Sequence, residues 1–202
     1  MSVATKPDLG KGVWNVPNQL SGLRLALSIA MFVLIGLEYY LASTVVFLLA
    51  ASTDWIDGYW ARKYGQVTVL GRILDPFVDK IIICGTFIFL VAVPASGVTA
   101  WMAVVIVGRE LMVTALRNFL EGEGADFSAT MSGKLKMVVQ CAAAVLALYS
   151  LTYSHGTGPA AAPESLLWLR WISLLAAIGL TVYSGVEYIL RAIWLLRRLG
   201  AP

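Results

Sequence analysis

The chain has 202 residues, of which 59% are hydrophobic and only 13% are charged, and its formal net charge is +3. Average soluble domains carry roughly 25% charged residues. This composition therefore excludes an ordinary water-soluble fold and favours the bilayer as solvent, and so small a net charge gives no indication of a nucleic-acid partner.

Six apolar segments follow one another along the chain, and each has about the 20 residues that a membrane-spanning helix needs. They predict an all-α integral membrane protein with six transmembrane helices. A short N-terminal juxtamembrane segment, cytoplasmic or interfacial, is expected at residues 1–18, and the six-helix membrane domain at residues 19–198. The predicted spans are residues 19–37, 41–62, 70–93, 97–119, 132–153 and 166–194.

Basic residues alternate between the connections. The second connection is flanked by Arg62, Lys63 and Arg72, whereas the first, third and fifth contain no Lys or Arg. Basic residues return around the fourth connection and at the C-terminal end. The positive-inside rule then predicts a multi-pass protein of the cytoplasmic (inner) membrane, with both termini and the active site on the cytoplasmic side.

Four aspartates lie inside predicted membrane helices. Asp54 and Asp57 are three residues apart in the second span, and Asp75 and Asp79 are four residues apart in the third. Each spacing puts the pair on one helix face, and a short connection predicts that the two helices are antiparallel neighbours. Intramembrane carboxylates are costly unless paired, hydrated or metal-bound, which makes these residues functional candidates.

Converging carboxylates repel one another, so a cation is expected among them. Oxygen ligands without nearby His or Cys favour Mg²⁺ or Mn²⁺ over zinc. Four carboxylates could hold two such ions, an arrangement suited to displacement at phosphorus. The spacing alone leaves two alternatives open: a structural polar network, or a divalent-cation transporter that uses the aspartates as a relay.

The segment from Asp54 to Asp79 contains the pattern D-x2-D-G-x2-A-R-x8-G-x3-D-x3-D. This pattern resembles the signature of the CDP-alcohol phosphatidyltransferase family, and the six predicted spans fit that family as well. The resemblance implies that Asp54, Asp57 and Asp75 bind two divalent cations, Mg²⁺ or Mn²⁺. It implies that Asp79 is the general base and a further ligand. The residues implied to line the pocket for the CDP-linked lipid are Gly58, Ala61, Arg62 and Gly71.

Basic residues on the fourth and fifth spans bear on the acceptor alcohol. Arg109 and Arg117 lie eight residues apart on the fourth span, and Lys134 and Lys136 lie at the start of the fifth. A basic cluster beside a metal site suits an alcohol that itself carries a phosphate. We therefore predict that these four residues bind the acceptor phosphate.

The same segments resemble the phosphatidylglycerophosphate synthases of the family, although Met137 stands where these typically have Thr. The resemblance implies transfer from CDP-diacylglycerol to sn-glycerol 3-phosphate. Cardiolipin, phosphatidylserine and inositol-phosphate types of synthase remain the alternatives within the family.

The start of the first span also resembles that group and implies that Asn18 and Arg24 face the nucleotide of the CDP-lipid. For Asn18 an N-cap role is the alternative. Small residues in the fifth and sixth spans, Gly179 among them, predict close helix packing, and the resemblance implies a homodimer. Glu187 in the sixth span could face either a partner subunit or the cavity.

Overall fold

The computed structural model describes residues 16–64, 69–122, 130–154 and 161–199. Within these ranges it describes all side chains except those of residues 16–18, 54–64, 69–76, 79, 198 and 199. The predicted N-terminal interfacial segment therefore lies, up to residue 15, outside the described residues.

The described chain forms helices and no strands, as predicted. The helices are α1 (Val16–Gly36), α2 (Tyr40–Tyr64), α3 (Val69–Val91), α4 (Ala100–Gly122), α5 (Met131–Leu151) and α6 (Glu164–Leu199), with a 3₁₀ turn at Pro94–Ser96. Most ends lie within three residues of the predicted spans, while α6 continues five residues beyond its predicted end. At about 1.5 Å per residue, the 36 residues of α6 are longer than a bilayer core is thick.

Three helices contain stretches that are long and apolar enough to cross a membrane, judged by length and composition within the described residues. These stretches are Gln19–Gly36 of α1, Met131–Leu151 of α5 and Glu164–Arg197 of α6. The apolar stretches Tyr40–Thr53 of α2 and Lys80–Val91 of α3 are shorter. The described chain thus contains six helices, three of which are candidate membrane spans, and the crossing of the membrane by all six stays a prediction.

Helices α1 and α5 connect the bundle, since both contact α2 and α3 and α5 also packs along α6. Buried apolar side chains from all six helices form one core between them, including Met31, Phe47, Phe87, Ile106, Leu148 and Ala177. A second, smaller cluster lies between α4 and α6. The core therefore joins the helices that carry the aspartates to those that carry the basic residues.

Small residues permit close contact in α5, as predicted, and at a glycine of α3 that was not predicted. Ala143, Ala144 and Ala147 of α5 are fully buried, which agrees with the predicted packing of this helix. A Cβ atom at Gly179 would meet nothing within 4 Å, so among the described residues this glycine makes no close helix contact. At Gly85, by contrast, a Cβ atom would overlap the Phe32 ring. Gly85 is therefore where α3 approaches α1 closely.

The connection between α3 and α4 is longer than predicted because its own hydrogen bonds hold it. Ser96 Oγ donates to the carbonyl of Leu90 at 2.8 Å and accepts from the backbone N–H of Val98 at 3.0 Å. Gly97 has a φ of 76°, a conformation that favours glycine. These bonds end α3 at Val91 and delay the start of α4.

Arg170 of α6 ties this connection to α5. Its Nη1 donates to the carbonyl of Ala95 at 2.7 Å and to Ser150 Oγ at 3.1 Å. The side chain is buried, and a Cβ atom at Gly97 would lie 3.2 Å from its guanidinium. Arg170 therefore joins the α3–α4 connection, α5 and α6 at one end of the bundle.

We expect Arg170→Met to destabilise the protein by about 1–3 kcal/mol, because it removes the donor to the Ala95 carbonyl and to the buried hydroxyl of Ser150. Thermal unfolding of the purified protein in detergent measures the change. Arg197→Met is the control, since Arg197 is exposed near the end of α6. Equal unfolding temperatures for the two variants would contradict this role for Arg170.

Candidate active site

The four aspartates lie on α2 and α3 at matched distances from the connection between these helices. Only residues 65–68 separate the two helices, so their facing ends are at most five Cα–Cα steps apart, or about 19 Å. At about 1.5 Å per residue, Asp57 and Asp75 lie about 10 Å from these ends, and Asp54 and Asp79 about 15 Å. The aspartates therefore lie at matching distances along their two helices.

The side chains of the aspartates lie outside the described part of the structure, as do those of Gly58, Ala61, Arg62 and Gly71. Their predicted roles therefore stay predictions. Among the side chains that are described, no group of three His, Cys, Asp or Glu could hold a metal ion. The donor set of the motif, four carboxylates on two consecutive helices, fits a hard divalent cation.

Arg24 is buried on α1, and it is only 2% exposed. At about 1.5 Å per residue, its position eight residues into the helix lies about 12 Å from the helix start. Ser21 and Ser28 on the same helix are also buried. Because α1 contacts both α2 and α3, this helix packs against the two helices that carry the aspartates.

Asn18 is the third residue of α1. This position disfavours the N-cap alternative, because the N-cap residue precedes the first helical residue. The Asn18 side chain is not described, so the predicted contact with the nucleotide stays a prediction.

Arg109, Glu110 and Lys136 form a charged cluster between α4 and α5. Lys136 Nζ is in ion-pair contact with Glu110 Oε1, and the same oxygen accepts a hydrogen bond from Arg109 Nη1 at 3.3 Å. Lys136 is 4% exposed and Arg109 9%. One carboxylate thus links two of the predicted acceptor-binding residues.

Arg117 reaches a tyrosine of α6. Its Nη2 donates to the hydroxyl of Tyr188 at 3.4 Å, and the ring of the same tyrosine lies 5.2 Å from Arg109 Cζ. The Tyr188 hydroxyl also accepts from the backbone N–H of Thr130, just before α5, at 2.9 Å. Arg109 and Arg117 therefore meet at one residue of another helix.

Three nitrogen atoms of these arginines are buried without a hydrogen-bond partner in the part of the chain that the structure describes. They are Nε and Nη2 of Arg109 and Nε of Arg117. An unsatisfied buried donor costs about 1–3 kcal/mol, and more when charged. The arrangement therefore suits an anion such as a phosphate, which accepts several hydrogen bonds from guanidinium groups.

Lys134 differs from the other three predicted acceptor-binding residues. It is exposed, whereas Lys136, two residues later on α5, is buried. Residues two apart lie on different faces of a helix. The structure thus brings Arg109, Arg117 and Lys136 together around α4 and leaves Lys134 on an exposed face.

A family model described as CDP-alcohol phosphatidyltransferase matches residues 14–183. This range contains the aspartate motif and the basic residues of α4 and α5. The chain belongs to the CDP-alcohol phosphatidyltransferase family. It is a transferase and a membrane protein, and the family predicted from residues 54–79 is confirmed.

Curated relatives of this transferase align over nearly its whole length. It is 36% identical to the CDP-diacylglycerol–glycerol-3-phosphate 3-phosphatidyltransferase of Bacillus subtilis, over 87% of this chain and 94% of the relative. A Pseudomonas fluorescens protein of the same name is 35% identical, over 89% of this chain and 90% of its own length. A probable phosphatidylglycerophosphate synthase of Mycobacterium tuberculosis is 34% identical, over 96% and 91%.

Sequence reasoning missed the part of the transferase's basic site that α6 contributes. Tyr188 was not predicted, although it lies within an apolar span beside the charged Glu187. Glu187 accepts a hydrogen bond from Ser132, whose Oγ lies 2.8 Å from Thr130 Oγ1. Glu187 thus faces the start of α5 within the chain. An adjacent charged residue and tyrosine inside an apolar span were the available signal.

Gln140 of α5 also contacts α6. Its Nε2 donates to Thr181 Oγ1 at 2.8 Å. Both side chains are buried, so this bond fixes α5 against α6 one helical turn beyond Lys136. The basic site therefore rests on a polar contact in the bundle interior.

We expect Glu110→Gln to destabilise the transferase by about 3–5 kcal/mol, because it leaves the buried Lys136 ammonium without its carboxylate. The double variant Glu110→Gln/Lys136→Met should regain most of that loss, since it also removes the unpaired charge. Thermal or denaturant unfolding in detergent measures both changes.

Glu121→Gln is the matched control, because Glu121 is exposed near the end of α4. A double variant that is less stable than Glu110→Gln would contradict the assignment of the ion pair as the source of the loss.

Proposed function

We propose that this transferase moves the phosphatidyl group of CDP-diacylglycerol to sn-glycerol 3-phosphate, giving phosphatidylglycerophosphate and CMP. The observation that carries the proposal is the pair of arginines with unpartnered buried nitrogen atoms, Arg109 and Arg117. The names of the relatives, which align over most of their length, support the same donor and acceptor.

The acceptor follows from the charge of the basic site. A phosphate monoester carries up to two negative charges and several acceptor oxygens, which match the guanidinium groups of Arg109 and Arg117. Serine carries no phosphate, and phosphatidylglycerol carries only a diester with a single charge. Both would leave the buried nitrogen atoms poorly satisfied, so a small phosphorylated alcohol is favoured.

We propose that Asp54, Asp57 and Asp75, with Asp79, hold two divalent cations, Mg²⁺ or Mn²⁺. The support is the fit of four carboxylates to hard cations and their matched depths on α2 and α3. Bound cations would stabilise the charge on the pyrophosphate and on the departing CMP.

Asp79 removes the proton of the attacking hydroxyl in this proposal, since a hydroxyl is a poor nucleophile until it is deprotonated. The hydroxyl oxygen of the acceptor bonds to the phosphorus that carries the diacylglycerol. The bond from that phosphorus to the bridging oxygen breaks, and CMP leaves with the electron pair. Arg109 and Arg117 hold the acceptor phosphate during the transfer. The residues proposed to line the CDP-lipid pocket are Asn18, Arg24, Gly58, Ala61, Arg62 and Gly71.

We propose that all six helices cross the inner membrane, with both termini and the active site on the cytoplasmic side. The alternation of basic residues between connections supports this orientation. The aspartates lie only two to three helical turns from the facing ends of α2 and α3. The lipid tails can then stay in the bilayer while the head group reacts in a polar cavity. A homodimer remains a proposal that rests on the family resemblance.

An acceptor screen tests the proposed reaction. Purified protein with CDP-diacylglycerol and Mg²⁺ or Mn²⁺ should release CMP with sn-glycerol 3-phosphate, and at least about a hundredfold more slowly with serine or phosphatidylglycerol, because neither satisfies the buried arginine nitrogen atoms. Inositol 1-phosphate, which carries the same kind of phosphate, tests the choice between the two phosphorylated acceptors, and we expect it to react more slowly. Release of CMP is followed together with the lipid product. Preference for one of the other acceptors would overturn the proposed substrate.

We expect Asp79→Asn to lower turnover at least about a hundredfold, because an amide cannot act as the general base. Chelation of divalent cations should abolish the activity of the unaltered protein, and added Mg²⁺ or Mn²⁺ should restore that activity. The same additions should not restore the turnover of the Asp79→Asn variant. Glu121→Gln, an exposed change of the same kind, should retain full activity. An Asp79→Asn variant with unimpaired turnover would show that another group accepts the proton.

A further inference from the structure

Tyr188 is buried where α4, α5 and α6 meet. Its side chain is 1% exposed and packs in the second apolar cluster with Val113 and Leu120 of α4 and Ala192 of α6. These apolar neighbours fix the position of the ring. A fixed ring in turn fixes the place where any side chain that contacts it must lie.

The two arginines of α4 contact different parts of this tyrosine. Arg109 Cζ lies 5.2 Å from the ring centroid, within the range of a cation–π contact. Arg117 Nη2 donates to the hydroxyl at 3.4 Å. At about 1.5 Å per residue, their separation of eight positions corresponds to about 12 Å along α4. The length of the tyrosine side chain lets it contact both.

The hydroxyl of Tyr188 is held from the opposite side by α5. It accepts a hydrogen bond from the backbone N–H of Thr130 at 2.9 Å. Thr130 is the N-cap of α5, and its side chain accepts from the backbone N–H of Gly133 at 3.3 Å. The hydroxyl that contacts Arg117 therefore has a position set by the start of a helix.

Two glycines make room for these contacts. A Cβ atom at Gly133 would lie 3.1 Å from the Tyr188 hydroxyl, and one at Gly185 would lie 3.3 Å from Arg109 Cγ. Both distances are shorter than an ordinary van der Waals contact for a Cβ atom. Glycine at 133 and 185 thus lets the tyrosine and Arg109 take the places that they occupy.

We propose that Tyr188 is a positioning residue, which holds Arg109 and Arg117 so that their remaining N–H groups bind the phosphate of the acceptor alcohol. The unpartnered nitrogen atoms are Nε and Nη2 of Arg109 and Nε of Arg117. This inference rests on the proposed function for the identity of the acceptor. It adds a residue of α6 to a site that the sequence assigned to α4 and α5.

Tyr188→Phe tests the proposal, because it keeps the ring and its volume and removes only the hydroxyl. We expect the KM for sn-glycerol 3-phosphate to rise about three- to tenfold, the effect of losing about one hydrogen bond, with kcat and the KM for CDP-diacylglycerol within about twofold. Tyr183→Phe is the control, since Tyr183 is 64% exposed on the same helix, and its constants should not change.

A binding measurement without turnover provides the second readout. Inorganic phosphate should raise the unfolding temperature of the unaltered protein, and Tyr188→Phe should need about three- to tenfold more phosphate for the same rise. Gly133→Ala should act in the same direction by displacing the hydroxyl, although alanine favours helix formation.

The outcomes separate the two proposals. If the unaltered protein uses another acceptor but phosphate stabilisation still depends on Tyr188, the proposed function falls and the role of Tyr188 stands. If sn-glycerol 3-phosphate is the acceptor but Tyr188→Phe changes neither its KM nor the phosphate dependence, the role of Tyr188 is overturned. A fall in kcat alone, or equal rises in both KM values, also overturns it.

Discussion

A charged side chain inside an apolar bundle needs a partner of opposite charge. In this transferase the carboxylate of Glu110 is that partner for two positively charged side chains. Its Oε1 contacts both Lys136 of α5 and the neighbouring Arg109 of α4. Removing one member of such a group leaves an uncompensated charge that costs several kcal/mol. The contact therefore joins α4 to α5 within the candidate acceptor site, whereas α4 packs mainly against α6 and α3. Arg117 and Tyr188 meet where α4 contacts α6.

Arginine serves different purposes at two places in the bundle. Nη1 of Arg170 makes two hydrogen bonds, to the α3–α4 connection and to α5, and in the described chain only its Nε is buried without a partner. Arg109 makes one hydrogen bond, to the adjacent Glu110, and two of its nitrogen atoms lack partners there. Because donors are costly to bury unsatisfied, the first pattern suits a structural tie and the second suits a binding site.

The helices could be predicted from the sequence because apolar length is a local property. The end of α3 could not, since it depends on Ser96 Oγ bonding back to Leu90. The aspartate motif and the basic residues of α4 and α5 were also visible, because charge is rare in membrane helices. Tyr188 was not, since its importance comes from the contact of α4 with α6, which no sequence spacing encodes. The same reason explains why Gly85, and not Gly179, is the close contact.

The choice of tyrosine at position 188 has a physical reason in this proposed site. A carboxylate in its place would hold Arg109 and Arg117 more strongly, but it would also neutralise charge that the phosphate needs. An aromatic face attracts a cation and a hydroxyl oxygen accepts its N–H, yet neither carries a formal charge. The two guanidinium groups are thus held in place and keep their attraction for an anion. The four aspartates lie on α2 and α3, on different helices from these arginines, so one bundle can present acidic residues to cations and basic residues to a phosphate.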